Sequence, residues 1–169
     1  LEPLTVHFNA SATPVMAQAL VRNLTYANTS ESPVPAARTV RLTVSDGQGG
    51  VSPPKTRTLN VRPLNDLPVL SLPGGPIGYT ENDPPTILEE EATVSDVDSP
   101  DFNQGRLTVE ISVNRHVDDR LGIRHQGTGA GQIGLAGTSV RYQGTAIGTV
   151  SGGLGTSPLI VVFNAAVTP

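Results

Sequence analysis

One stretch of eleven residues occurs twice in this chain. Leu4-Thr5-Val6-His7-Phe8-Asn9-Ala10-Ser11-Ala12-Thr13-Pro14 returns as Leu159-Ile160-Val161-Val162-Phe163-Asn164-Ala165-Ala166-Val167-Thr168-Pro169, with seven of the eleven positions identical. Leu, Val and Phe at alternate positions are the same in both copies, whereas Thr5 becomes Ile160 and His7 becomes Val162. Successive side chains of a strand point to opposite faces. The shared set therefore predicts one face in the core in both copies, Phe8 and Phe163 included, and a second face free to vary. The offset is 155, so the 169 residues comprise one period and a 14-residue overlap. The expected origin of such a segment is a longer tandem array of one structural unit.

The remaining pattern is that of strands. Val40, Leu42 and Val44 alternate with Thr39, Arg41 and Thr43; Leu59 and Val61 alternate with Thr58, Asn60 and Arg62; Leu107, Val109, Ile111 and Val113 form a third run. Shorter strands are expected at 69–72, 77–80, 86–95, 120–124, 132–135, 138–142 and 145–150. Gly (18 residues) and Pro (15 residues) punctuate the gaps between them. Many short strands at close spacing predict an all-β antiparallel sandwich. One helix interrupts the pattern. Thr13 suits an N-cap and Pro14 a first helical position, and Val15/Ala19 and Met16/Leu20 pair at i, i+4, so residues 14–22 are expected to form a short helix with Met16 and Leu20 in the core.

Val61-Arg62-Pro63-Leu64-Asn65-Asp66-Leu67-Pro68-Val69 reads as a linker stiffened by two prolines, centred on residues 63–68. It divides the chain into residues 1–65, the later part of one repeat, and residues 66–169, the earlier part of the next.

Charge is unevenly distributed. The net charge is −4. Residues 66–119 hold 12 of the 15 acids and only Arg106 and Arg115 among the basic residues, a balance of −10 against +6 elsewhere. Asp96-Val97-Asp98-Ser99-Pro100-Asp101 places three carboxylates in six residues directly after the strand-like Ala92-Thr93-Val94-Ser95. Like charges packed this closely repel unless a cation lies between them. The competing reading is a solvated turn in which the aspartates bond their own backbone.

Several classes are excluded. The chain has no Cys, so neither a disulfide scaffold nor a thiolate metal site can form. The longest aliphatic-aromatic run is Leu159–Phe163, far short of a membrane span. Basic residues are scattered singly with few aromatics to stack on bases, which argues against nucleic acid.

The pieces in their order resemble the cadherin-like tandem repeats of large secreted bacterial calcium-binding proteins and adhesins. The residues that carry the resemblance are Tyr79-Thr80-Glu81-Asn82, Thr93-Val94-Ser95-Asp96-Val97-Asp98, Arg22-Asn23-Leu24-Thr25-Tyr26, Arg38-Thr39-Val40-Arg41-Leu42-Thr43-Val44-Ser45-Asp46-Gly47 and Pro63-Leu64-Asn65-Asp66-Leu67-Pro68. The resemblance implies a cadherin- or immunoglobulin-like sandwich, with Ca2+ between repeats. Its ligands would be Asn65, Asp66, Asp96 and Asp98, with Glu81 serving the far end of its own repeat. Asp101 is added from the spacing of the acidic loop. Calcium takes six to eight hard oxygens in a flexible arrangement, which carboxylates and carbonyls supply. The linker carries one Asp where cadherins usually carry two or more, and Glu89-Glu90-Glu91 lies outside the family pattern. A related sandwich, the chondroitin-sulfate-proteoglycan type repeat, is the second resemblance.

The functional expectation is a calcium-stiffened structural or adhesive repeat of a long extracellular surface protein or fibre, whose heads and tails complete one another by strand addition. Its partners would be neighbouring repeats or copies of itself, and surface glycans or cell-surface proteins at an adhesive tip. The alternative is a carbohydrate- or protein-binding sandwich using Tyr26, Tyr79, Tyr142 or Phe102. Catalysis is not expected, because His7, His116 and His125 have no nucleophile at a suggestive spacing. The Gly127–Gly134 stretch lacks the Lys-Thr/Ser and helix of a phosphate loop and reads as tight turns.

Overall fold

The computed structural model describes residues 2–164. The repeat's second copy therefore lies within the described residues only as far as Asn164, and Ala165–Pro169 lie outside them. The protein is all-β with one short helix, and every sheet is antiparallel. The chain divides into two compact units, Leu1–Pro63 and Leu64–Pro169.

The first unit holds helix α1 (Pro14–Arg22) and a hairpin of β1 (Arg38–Leu42) and β2 (Lys55–Leu59). The helix starts and stops where its caps dictate. The Thr13 hydroxyl accepts the Met16 N–H at 3.4 Å, Pro14 opens the first turn, and the Asn23 N–H closes the last turn on the Leu20 carbonyl. Arg22 stands in the last turn, where a cation complements the helix dipole. The hairpin pairs Arg38 with Leu59 and Leu42 with Lys55, and a Ser45–Val51 bridge extends it. Asp46 folds the connecting loop: its Oδ1 accepts the N–H groups of Gln48 at 2.8 Å and Gly50 at 3.0 Å. No residue described in this unit is buried. Met16, expected in the core, is 58% exposed, and Leu20 is only half-buried.

The second unit holds a two-stranded ladder of β3 (Val69–Ser71) and β4 (Thr93–Ser95), and a five-stranded sheet. That sheet contains β5 (Arg106–Val109), β6 (Ile133–Ala136), β7 (Ser139–Tyr142), β8 (Thr145–Gly152) and β9 (Leu159–Phe163), in the order β5-β9-β8-β7-β6. Two-residue turns join β6 to β7 and β7 to β8. The second turn, Gln143-Gly144, has φ of 52° and 82°, the double positive φ of the primed hairpin turns whose twist matches the strands. The ladder between β7 and β8 shifts register between Val140 and Arg141. Val140, Leu159 and Val161 are the buried apolar side chains among the described residues.

Not every alternating stretch becomes a strand. Residues 77–80 and 120–124 form none, the run from Leu107 stops at Val109, and of 86–95 only Thr93–Ser95 pairs. Arg120 makes a single bridge to Leu154.

The repeat shows the sharpest departure. Leu159–Phe163 is an inner strand, paired by β5 on one side and β8 on the other. Leu4–Phe8 is not a strand and has no ladder partner among the described residues. Leu159 and Val161 are 6% and 3% exposed, whereas Leu4 and Val6 are 83% and 48% exposed. The expectation of a core face in both copies, with Phe8 buried, is corrected: the shared face is core only in the second. The physical reason is that a lone strand leaves its backbone groups and its apolar face unpaired, and this segment has no strand beside it.

Candidate metal centre

The acidic loop follows β4 directly. Asp96 folds it, since its Oδ1 accepts the N–H groups of Asp98 at 3.2 Å and Ser99 at 2.9 Å. Asp98 then reaches back to the linker. Its Oδ2 accepts the Asp66 N–H at 3.0 Å across 32 residues of chain, and its Oδ1 accepts from the Ser99 hydroxyl at 3.5 Å. Asn65, next in line, donates its side-chain amide to the Asp66 carbonyl. The linker and the Asp-x-Asp loop are thus joined by one direct hydrogen bond.

The electrostatics of Asp96 follow from this geometry. Desolvation in the half-buried loop alone would raise its pKa. The Ser99 N–H, the neighbouring Asp98 side chain, the Asp98 N–H and the Ser99 hydroxyl together outweigh that and hold it below the usual 3.8. Hydrogen bonds to the ionised form favour it, so the loop keeps this carboxylate charged.

The other expected ligands are not brought into this group. Asp101 accepts the Asn103 N–H at 3.0 Å and so supports the next turn, where Gly105 N–H meets the Phe102 carbonyl at 2.7 Å. Glu81 lies in a turn closed by the Asp83 N–H on the Thr80 carbonyl, with Asn82 at φ 71°, and no hydrogen bond ties Glu81 to the acidic loop. Among the described residues no three His, Cys, Asp or Glu side chains converge as a metal site requires. The donor types at Asn65, Asp66, Asp96 and Asp98 suit a hard cation. As an array they remain open, and calcium would need further oxygens to reach its usual six to eight.

One acid has a role that the sequence pattern does not reveal. Glu89, Glu90 and Glu91 read from the sequence as a solvated strand segment. Instead Glu89 is half-buried, and its carboxylate accepts the Gly74 N–H at 2.6 Å and the Glu91 N–H at 3.0 Å. It pins the 73–76 loop, and three consecutive glutamates carry no signal for which one does so. Glu90 lies 3.9 Å from Arg124, both well exposed, a pair worth little in water.

The remaining candidates make local contacts. In the Gly-rich stretch the Gly129 N–H meets Gln132 Oε1 at 2.9 Å and Gly131 has φ 73°, a tight turn leading into β6. Phe102 packs against Phe163 with ring centroids 6.3 Å apart and the rings tilted by 43°. His116 lies 3.2 Å from Asp118 with both side chains exposed, and His125 Nδ1 accepts the Leu135 N–H at 2.8 Å. No helix among the described residues is long and apolar enough to cross a membrane. No protein-family model matches the chain, and neither a curated protein nor a solved structure matches it.

Proposed function

We propose that this chain is a structural repeat module of a long extracellular surface protein or fibre, and that the junction of its linker with the acidic loop takes Ca2+. The observation that carries the reading is the Asp66 N–H to Asp98 hydrogen bond, which holds the linker against the one loop where three aspartates crowd. A bound calcium ion would supply the positive charge that offsets the repulsion among these carboxylates. Asp96 stays ionised through backbone hydrogen bonds that it accepts at Oδ1. Asp98 joins loop to linker, and Asn65 adds an amide oxygen beside Asp66. Asp101, at the end of the acidic loop, belongs to the proposed set, and Glu81 to the far end of its own repeat.

In this reading the chain's residues do mechanical work. An uncompensated junction flexes; a compensated one holds consecutive repeats in line, as a rod that projects an adhesive tip or builds a fibre. Binding of carbohydrate is the weaker reading, because Phe102, the aromatic beside the aspartates, already packs in a tilted pair against Phe163.

The test is melting and small-angle scattering with calcium and with a chelator, on the native chain and on Asp98→Asn. The native chain should melt higher and scatter as a stiffer particle in calcium. Asp98→Asn retains an oxygen to accept the Asp66 N–H but removes the charge, so it should lose the calcium response and keep its chelator-state melting point. An identical response of the two chains, or none in either, would overturn the reading.

A further inference from the structure

We propose that the Asp83–Pro84 peptide bond is a site of self-cleavage, at which the Asp83 side chain attacks its own main-chain carbonyl while the Tyr79 hydroxyl polarises that carbonyl. The chemistry depends neither on calcium nor on the repeat-module reading.

Asp-Pro occurs once in the chain, within Tyr79-Thr80-Glu81-Asn82-Asp83-Pro84-Pro85. The main chain of Asp83 is held on both sides. Its N–H closes a turn on the Thr80 carbonyl at 3.1 Å, with Asn82 at φ 71°, and its own carbonyl oxygen accepts the Tyr79 hydroxyl at 3.1 Å. The proline that follows fixes its own φ and narrows the choices of the residue before it. The Asp83 carboxyl group is different. It is exposed, and no hydrogen bond or ion pair among the described residues engages it. A free nucleophile beside a fixed carbonyl is the arrangement that makes an intramolecular attack efficient.

The step balances with water alone. One oxygen of the Asp83 carboxyl group bonds to the Asp83 carbonyl carbon and closes a five-membered cyclic anhydride. The carbon–nitrogen bond to Pro84 breaks, and the carboxyl proton passes to the proline nitrogen, which leaves as a secondary amine. Water then opens the anhydride. Asp83 becomes a C-terminus with two carboxyl groups, and Pro84 becomes an N-terminus.

Tyr79 acts on the atom where electron density gathers during the attack, the carbonyl oxygen it already bonds. Removing one such donor from a water-excluded site costs about 10²–10³ in rate. Tyr79 is 63% exposed, and water competes for the same oxygen, so its effect here should be several-fold.

The position of the bond gives the cut its consequence. It lies in the connection from β3 to β4. The two fragments remain in contact through the β3–β4 ladder, the Gly74 N–H to Glu89 bond and the Asp66 N–H to Asp98 bond. Cleavage therefore turns a covalent connection into one that the short ladder and these bonds must hold, and which parts when the ladder opens.

The test follows the full chain in chelator, at the lowest pH at which circular dichroism shows it folded, with fragments 1–83 and 84–169 quantified by mass spectrometry over time. The native chain should release them several-fold faster than the same chain unfolded in urea at the same pH. Tyr79→Phe keeps the exposed ring without its hydroxyl and should lose most of that advantage. Asp83→Ala should release neither fragment. Equal rates for the folded and unfolded chains would leave only the ordinary acid lability of an Asp-Pro bond and overturn the proposal. So would Tyr79→Phe cleaving at the native rate, or Asp83→Ala cleaving at this bond. Running in chelator keeps the tests separate: failure here says nothing of Asp98, and failure there says nothing of Asp83.

Discussion

Val161→Ala and Val6→Ala make the same chemical change at equivalent positions of the repeat, 155 residues apart. Their effects should differ. Val161 is 3% exposed at the centre of β9, between two strands, and Val6 is 48% exposed without a strand partner. Val→Ala removes two carbons, at about 0.8 kcal/mol each when buried. That is about 1.6 kcal/mol of transfer free energy at Val161, and the cavity left behind raises it to roughly 2 kcal/mol. For a unit of about 100 residues this lowers the melting temperature by roughly 8–16 °C. Val6→Ala should stay within about 0.5 kcal/mol, the range of ordinary surface changes. The assay is thermal unfolding by circular dichroism at high dilution, where copies do not meet. Equal effects at the two sites would refute the assignment of one buried and one exposed copy. A silent Val161→Ala would refute the sheet's core itself.

Gly148→Ala should cost about 2 kcal/mol, because its new methyl carbon would stand 2.5 Å from the Val162 carbonyl oxygen; Gly75→Ala, with nothing within 4 Å, should be neutral or slightly stabilising through the unfolded chain, and urea titration separates the two. The pH dependence arises from Asp96, whose folded pKa lies below 3.8. Its contribution to stability is complete above the unfolded value and is lost as pH falls through the lower folded value; Asp96→Asn should flatten that acid limb in a melting series, and an unchanged limb would remove Asp96 from the account.

Local chemistry made some elements legible. Thr13-Pro14 marks the start of α1 and the helix occupies Pro14–Arg22 as expected, because a cap and a proline act within one turn. The gap between the expected strands 138–142 and 145–150 holds Gln143-Gly144, and Gly there suits a tight turn. Strand existence was less so. Alternation at 77–80 and 120–124 shows that a segment could lie on a sheet, but a strand needs a neighbour to take its backbone groups, and alternation does not name one. At the candidate site, the meeting of Asp66 with Asp98 followed from a short linker beside a short ladder, β3–β4, whose strands are antiparallel. The separation of Glu81 and Asp101 from that pair depends on turns at Asn82 and Phe102–Gly105, where several conformations suit the same residues.

The two copies of the repeat show where stability resides. Their shared apolar face is equally able to bury itself, yet one copy does so and the other does not. Fully burying a Leu or Val side chain is worth about 1.5–3 kcal/mol, so Leu4 and Val6 together leave roughly 3–6 kcal/mol unrealised, less what their partial cover already supplies. The core-facing residues are the same, so the difference does not lie in them. It comes from β5 and β8, which pair with β9. Stability in such a chain therefore belongs to the strand slot, with the strand as its interchangeable occupant.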